Sequence, residues 1–198
     1  MADINDMMIP GYNPAKQQQP SGMEGWPTEF PKPIVGLERK GVITDINNEP
    51  LFGALDAILN IRLKGHKLSI IADETGKQEN DVMAKHNQLM EKFAQAGIMS
   101  IDGFLFSVNN DTKDPYVKPQ TGMFKKAIEM NPSIKWNEGY YVGASVIDMK
   151  AAVKIGTKPI FLKTDEHETK KLYSFPHRDL LKKVQVMDSL LEFASSLK

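Results

Sequence analysis

The chain has 198 residues, with 25 Lys+Arg balanced by 25 Asp+Glu, no cysteine, and 41% hydrophobic residues. That length suits one ordinary domain with a real core, and zero formal charge argues against a general nucleic-acid binder, which needs a basic surface. The missing cysteines exclude a disulfide framework, a Cys-ligated zinc and a thiol nucleophile together. No apolar run approaches the roughly 18–20 residues of a spanning helix. The N-terminus also lacks the basic start and apolar middle of a signal peptide. The expectation is a cytoplasmic protein with neither nucleic acid nor membrane as partner.

Six of the twelve prolines fall within residues 1–33, interleaved with Gly11, Gly22, Gly25 and the run Gln17, Gln18, Gln19. The segment shows no period of 2 or 3.6, and its prolines remove backbone donors, so it should not pack by itself. Residues 1–31 read either as a disordered leader or as an arm that orders on a protein partner. Met7, Met8, Ile9, Tyr12, Met23, Trp26 and Phe30 are the apolar anchors of such an arm. A Trp, a Phe and several Met in so short a stretch favour the arm.

From residue 32 to 198 strand-like and helix-like segments alternate. Pro33–Leu37 is a short buried strand, and Leu51–Leu63 carries Leu55, Ile58, Leu59 and Leu63 at helical spacing. Lys67–Ala72 is a second strand, followed by the turn signal Glu74-Thr75-Gly76. Gln78–Ala96 is a long amphipathic helix with Val82, Leu89, Met90 and Phe93 on one face, and His86 on this helix reads as a surface or boundary residue. Gly103–Val108 is a third strand, Asn109–Tyr116 a polar loop, and Thr121–Met130 a helix. Strands at Tyr140–Gly143 and Pro159–Leu162 flank a helix over Val146–Ile155, and Asp179–Leu197 closes the chain as one amphipathic helix. Short apolar strands separated by helices predict an α/β fold: a three-layer, Rossmann-like parallel sheet with helices on both faces. Ligands of such sheets bind beyond the C-terminal strand ends, which directs attention to the residues after Leu37, Ile71, Val108 and Val142.

Common motifs are absent. There is no G-x-G-x-x-G, no P-loop, no G-x-S-x-G and no H-E-x-x-H, and the four histidines lack ligand spacing. The informative stretch is Lys118-Pro119-Gln120-Thr121-Gly122-Met123-Phe124, followed about 20 residues later by Tyr141-Val142-Gly143-Ala144-Ser145-Val146-Ile147-Asp148. It resembles the haloacid dehalogenase (HAD) superfamily, in particular the capless histidinol-phosphate and heptose-bisphosphate phosphatases, in which K-P-x-x-G-M opens a helix and V-G-D-x-x-x-D ends a strand. The resemblance spans roughly residues 33 to 165. It implies an Asp nucleophile after the first strand, an acid/base Asp two residues on, a Thr or Ser and a Lys on the phosphoryl oxygens, and acids after the fourth strand that hold Mg²⁺ with the nucleophile. The short separations between these positions fit a capless relative. The stretch matching the zinc loop of some heptose-bisphosphate phosphatases, Asn109–Tyr116, has no Cys, so no zinc is expected.

The chain departs from that pattern at most positions. Glu38 stands at the nucleophile position, one methylene longer, and a misplacement of about an ångström costs roughly 10²-fold. Lys40 stands at the acid/base position and Ala72 at the hydroxyl position, with Thr75 as a possible counterpart. Ala144 replaces the first metal-binding Asp, while Lys118, Gly143 and Asp148 keep the family identity. The alternative reading of Lys118 is a solvated lysine near a helix start, and Asp148 reads equally as an ordinary helix N-terminal acid. Gly143 should let the strand end turn tightly into the helix. The expectation is a pocket with no metal and no other cofactor, in which the Lys40 ammonium takes the space of the metal and pairs with Glu38 and Asp148.

Three functional readings follow. The first is a non-catalytic, pseudo-phosphatase subunit of a larger assembly, a virion being one setting, docked through its arm. The second is a Mg²⁺-dependent phosphomonoesterase that recruits Asp45 or Asp73. The third is an anion sensor using Lys118 and Lys40.

Overall fold

The structure is a computed structural model and describes residues 32–198. The seven arm anchors, Met7, Met8, Ile9, Tyr12, Met23, Trp26 and Phe30, lie outside the described residues.

Six strands form one parallel sheet: β1 (Lys32–Leu37), β2 (His66–Asp73), β3 (Gly103–Ser107), β4 (Tyr140–Gly143), β5 (Lys158–Leu162) and β6 (Gln185–Met187). Their order across the sheet is β3-β2-β1-β4-β5-β6. The helices between them are α1 (Ala54–Leu63), α2 (Glu79–Gln95), α3 (Gly122–Met130), α4 (Val146–Ile155), α5 (Glu166–Tyr173) and α6 (Arg178–Leu181), and α7 (Leu190–Ser196) follows β6. Every strand pairing is parallel, so helical crossovers must lie over the sheet faces.

The strand alternation sorts the core into two layers. Val35, Leu37, Leu68 and Ile70 face the apolar sides of α1, α2 and α7, where Ile58, Ile61, Leu89 and Phe93 are buried. Ile34, Ile71 and Tyr141 face the opposite layer, packing with Met123, Phe124 and Ala127 of α3 and Ala151 and Ala152 of α4. Gly36 is required here, because a Cβ would come within 2.8 Å of the Tyr141 ring and 2.9 Å of Trp136.

The order reverses direction between β1 and β4, whose partners at the outer sides are β2 and β5. A crevice opens at such a point beyond the carboxyl ends of the strands. Glu38 follows β1 and Asp148 lies in the first turn of α4, directly after β4, so both belong to that crevice.

Two expectations from the sequence need correction. The single helix predicted over Asp179–Leu197 is α6, β6 and α7 in succession, and α5 precedes them. Ser189 accepts the Glu192 N–H at 3.1 Å, capping a new helix where the predicted one would have run on. His86 is not at the surface: it is 2% exposed and stacks on Phe104 of β3, centroids 3.7 Å apart and rings parallel. Burial, with the nearby Arg39 charge, lowers its pKa to about 4. No helix among the described residues is long and apolar enough to cross a membrane.

Candidate functional site: a closed ion cluster at the switch point

Lys118 is the centre of the crevice. Its side chain is completely buried, although lysine is among the residues most rarely found so. Its ammonium donates to a Glu38 carboxylate oxygen, to Asp148 Oδ1 at 2.7 Å and to the Tyr141 hydroxyl at 2.6 Å. Tyr141 in turn donates its proton to the Ile71 carbonyl at 2.9 Å, so a lone pair of its oxygen is left to face the lysine.

The carboxylates are anchored from behind. Glu38 Oε1 accepts the Arg39 N–H at 2.7 Å, and Oε2 accepts the Asp73 N–H at 3.2 Å as well as Lys118. Asp148 is the N3 residue of α4 and forms a capping box with Ser145. Its Oδ2 accepts from the Ser145 N–H at 3.2 Å and the Ser145 hydroxyl at 2.7 Å. The two readings of Asp148 therefore hold together, since one oxygen caps the helix and the other meets the ammonium. At Gly143, where β4 passes into α4 within three residues, a Cβ would collide with the Asp148 Cβ and approach its Cγ to 2.8 Å. The glycine makes room for the carboxylate.

Two carboxylates face one ammonium, all three nearly dry, and this sets the protonation behaviour. Burial, reinforced by the Asp148 charge, raises the Glu38 pKa from its ordinary 4.5 to about 7, against the opposing pull of Lys118. Burial also works against the Lys118 charge, but Asp148 and Glu38 outweigh it and hold the ammonium well above the usual lysine value. Desolvation keeps the Tyr141 phenol neutral, its pKa well above 10.

Lys40 does not enter this cluster. Its side chain is exposed, and the pairing expected of it with Glu38 and Asp148 is made by Lys118. The chain stops being a strand at Leu37 and coils, with the Ile43 and Thr44 N–H groups returning to the Arg39 carbonyl at 2.9 Å. Gly41, at φ +78, completes the turn. Strand parity therefore fails after Glu38, and Arg39 goes inward instead. Arg39 is 2% exposed, pairs with buried Glu74, and lies 3.5 Å from the Val82 carbonyl through Nη1.

The other sequence candidates are dispersed. Ala72 is fully buried and Thr75 is exposed, its hydroxyl bonded to Asp73. Asp45 is engaged in its own turn, accepting the Asn47 and Glu49 N–H groups at 2.8 and 2.9 Å. Ala144, 6% exposed, sits where a Cβ on Gly41 would be 2.9 Å from its own. Sequence reasoning missed Tyr141 as a polar member of the site, because its strand context reads as apolar alternation. The Ser145-x-x-Asp148 capping pattern was a usable signal for the anchoring of Asp148.

This donor set does not fit Mg²⁺. That ion needs about six oxygens at roughly 2.0–2.1 Å in octahedral array. Here each carboxylate oxygen already accepts a proton donor, and Ala144 contributes no side-chain oxygen. Among the described residues no group of three or more His, Cys, Asp or Glu is arranged to hold a metal.

The order of the strands and the switch-point crevice make this a Rossmann-like parallel α/β fold. The solved structures similar to it in fold include HAD-superfamily phosphatases. The D,D-heptose 1,7-bisphosphate phosphatase from B. bronchiseptica, complexed with magnesium and phosphate, superposes with a TM-score of 0.70 at 19% identity, covering 83% of this chain and 96% of its own. The enzyme of the same name from Burkholderia thailandensis gives 0.62 at 22% identity, covering 83% and 97%. A HAD-superfamily hydrolase from Ehrlichia chaffeensis gives 0.54 at 10%, covering 84% and 97%. At these identities the likeness is one of fold. No protein-family model matches the chain, and no curated protein matches it significantly.

Proposed function

We propose that the protein is a non-catalytic member of the HAD fold, a pseudo-phosphatase that serves as a binding or structural subunit and docks into a larger assembly, such as a virion, through its N-terminal arm. The observation that carries this reading is the Lys118 ammonium, held by Glu38, Asp148 and Tyr141 where a phosphatase needs room for phosphate and metal. Asp148 alone neutralises the ammonium when Glu38 is protonated, and Glu38 adds a negative charge when it is not, so the cluster offers an incoming phosphoryl group no net positive charge. The lysine that should receive such a group has no free N–H to offer. The same saturation argues against the anion-sensor reading. Glu38 has its oxygens fixed by the Arg39 and Asp73 N–H groups, and its extra methylene sets them about an ångström from where a shorter Asp would present its own. For the arm, the support is its composition: apolar anchors spaced among prolines, which give an extended segment something to bury on a partner.

The test is p-nitrophenyl phosphate hydrolysis with Mg²⁺. No turnover above the uncatalysed rate is expected, and Mg²⁺-dependent turnover lost in Asp45→Asn or Asp73→Asn would establish the phosphomonoesterase reading instead. Calorimetry should register Mg²⁺ binding only after Glu38→Asp and Ala144→Asp are combined, while Lys40→Asp, outside the cluster, adds nothing. Either of the two alone leaves the ligand set incomplete. A chain lacking residues 1–31 is expected to retain its melting temperature while its partner ceases to co-purify. Retention of the partner by the shortened chain would remove the arm from the proposal.

A further inference from the structure

The exposed phenylalanines among the described residues, Phe52 and Phe175, stand in segments of opposite charge. Residues 45–56 lead from the end of β1 into α1 and hold Asp45, Glu49 and Asp56 with no Lys or Arg. Phe52 is fully exposed there, and Ile46 is largely exposed on the same loop. Gly53 adjoins Leu191 of α7, which a Cβ would meet at 3.5 Å, so the apolar surface continues from Phe52 onto α7. Residues 170–184 run from the end of α5 through α6 and hold five Lys or Arg against one acid, Asp179. Phe175 is 80% exposed beside half-exposed Tyr173, and the Arg178 guanidinium lies 5.6 Å from the Phe175 ring centroid. Among the described residues Arg178 and Lys183 pair with no carboxylate, and Asp56 with no base. Within one chain the sheet separates the two surfaces. α1 and α7 cover the face to which Leu37 and Ile160 point, whereas Leu172, Leu180 and Leu181 pack on Phe161 of the opposite face.

We propose that these surfaces are the two halves of one contact between copies of this chain: the basic corner around Phe175 of one copy docks on the acidic surface around Phe52 of the next. The occupant is a second copy because this chain itself presents the complement of each surface, in charge and in apolar character. Exposed ion pairs each contribute little, so the aromatic anchors supply the affinity, while the charges choose the partner and its orientation. A net charge of zero leaves no overall repulsion between copies to overcome. Two unlike surfaces joined head to tail make a heterologous contact, which builds a ring or an open chain. The contact depends neither on the Lys118 pocket nor on the arm, and each of those is tested by a different measurement.

The experiment is sedimentation equilibrium of the full chain over a concentration series, with melting curves showing that each variant is folded. The wild-type mass is expected to rise with concentration. Phe52→Ser or Phe175→Ser, each at an exposed position, should weaken the association roughly 30-fold or more, the size of a hot-spot loss. Arg178→Glu, Lys182→Glu and Lys183→Glu together turn the basic corner acidic, and Glu49→Lys with Asp56→Lys turns the acidic surface basic. Each charge-reversed chain alone should stay monomeric, and an equimolar mixture of the two should associate. Adding Phe52→Ser to both members should weaken that mixture again; an undiminished mixture would be generic charge attraction and would overturn the proposal. A wild-type chain that keeps monomer mass throughout overturns it, as do charge-reversed chains that each associate like the wild type. Association lost on removing residues 1–31 but untouched by Phe52→Ser and Phe175→Ser would also overturn it, and would assign the contact to the arm.

Discussion

Replacing Lys118 with Met is expected to destabilise the protein by about 3–5 kcal/mol, the cost of stripping one partner from a buried ion cluster. Methionine matches the length and much of the volume of the lysine stem, so the loss reflects charge far more than packing. What remains is Glu38 and Asp148, 5% and 3% exposed, facing each other without a counter-ion, and a Tyr141 oxygen with no donor. For a domain of this size that loss corresponds to a fall in Tm of very roughly 6–20 °C. It should be smaller at pH 5 than at pH 8, because the orphaned carboxylates can then take up protons. Adding Glu38→Gln and Asp148→Asn to the same chain removes both uncompensated charges and should recover most of the loss, since a neutral substitute for a whole buried ion cluster is often tolerated. Urea melts of the single and triple variants at the two pH values check this. A single-variant loss under about 1 kcal/mol, typical of a solvated pair, would mean that Lys118 is not held as described.

That Lys118 would prove central was only half legible beforehand. The order of the motif, Lys before Pro119 and Asp148 one turn into α4, is written in the sequence and survived into the structure. The depth of each side chain is not written there. The resemblance puts Lys40 at the acid/base position, two residues beyond Glu38, and so beside the metal site. The strand has ended by then, however, and the coil closed by Gly41 puts Arg39 inside and Lys40 outside. The sheet was easier. The first five strands are each bounded by turn or helix signals, and four long helices lie between them with clear apolar faces. β6 was lost because Leu180, Leu181, Val184, Met187, Leu190 and Ala194 repeat every three or four residues, a helical spacing that runs straight through a three-residue strand. Only the capping pair Ser189 and Glu192 marks the break, and a cap signal inside a continuous apolar period is easily overridden. His86 was misplaced for a related reason: helical periodicity assigns a face, not the aromatic ring that Phe104 brings to it from another strand.

Glu38 and His86 titrate in opposite senses, and the stability of the native chain should consequently change little between about pH 4.5 and 6.5. Glu38 has a folded pKa near 7 against 4.5 unfolded, from burial and the Asp148 charge, so in this window the folded state holds a proton that the unfolded chain has released. Its contribution is full below 4.5 and lost as the pH rises to 7. His86 has a folded pKa near 4 against 6.5, from burial and Arg39, so the unfolded chain holds a proton that the folded state refuses. Its contribution is full above 6.5 and lost as the pH falls towards 4. Each acting alone gives a slope of about 1.4 kcal/mol per pH unit, and together they nearly cancel. His66, also lowered by burial, adds to the histidine side of the balance. Removing one partner exposes the other. Glu38→Gln should lose stability on acidification below pH 6.5, whereas His86→Phe, which keeps a ring against Phe104, should gain stability on acidification from pH 7 to 4.5. The slope of the unfolding free energy against pH is the quantity to measure, because the baseline of each variant also carries its packing change. Parallel slopes in the two variants would show that these groups are not the opposed pair. Opposite slopes would show a charged pocket at the strand ends and a buried ring stacked on β3 jointly setting the acid response of the fold.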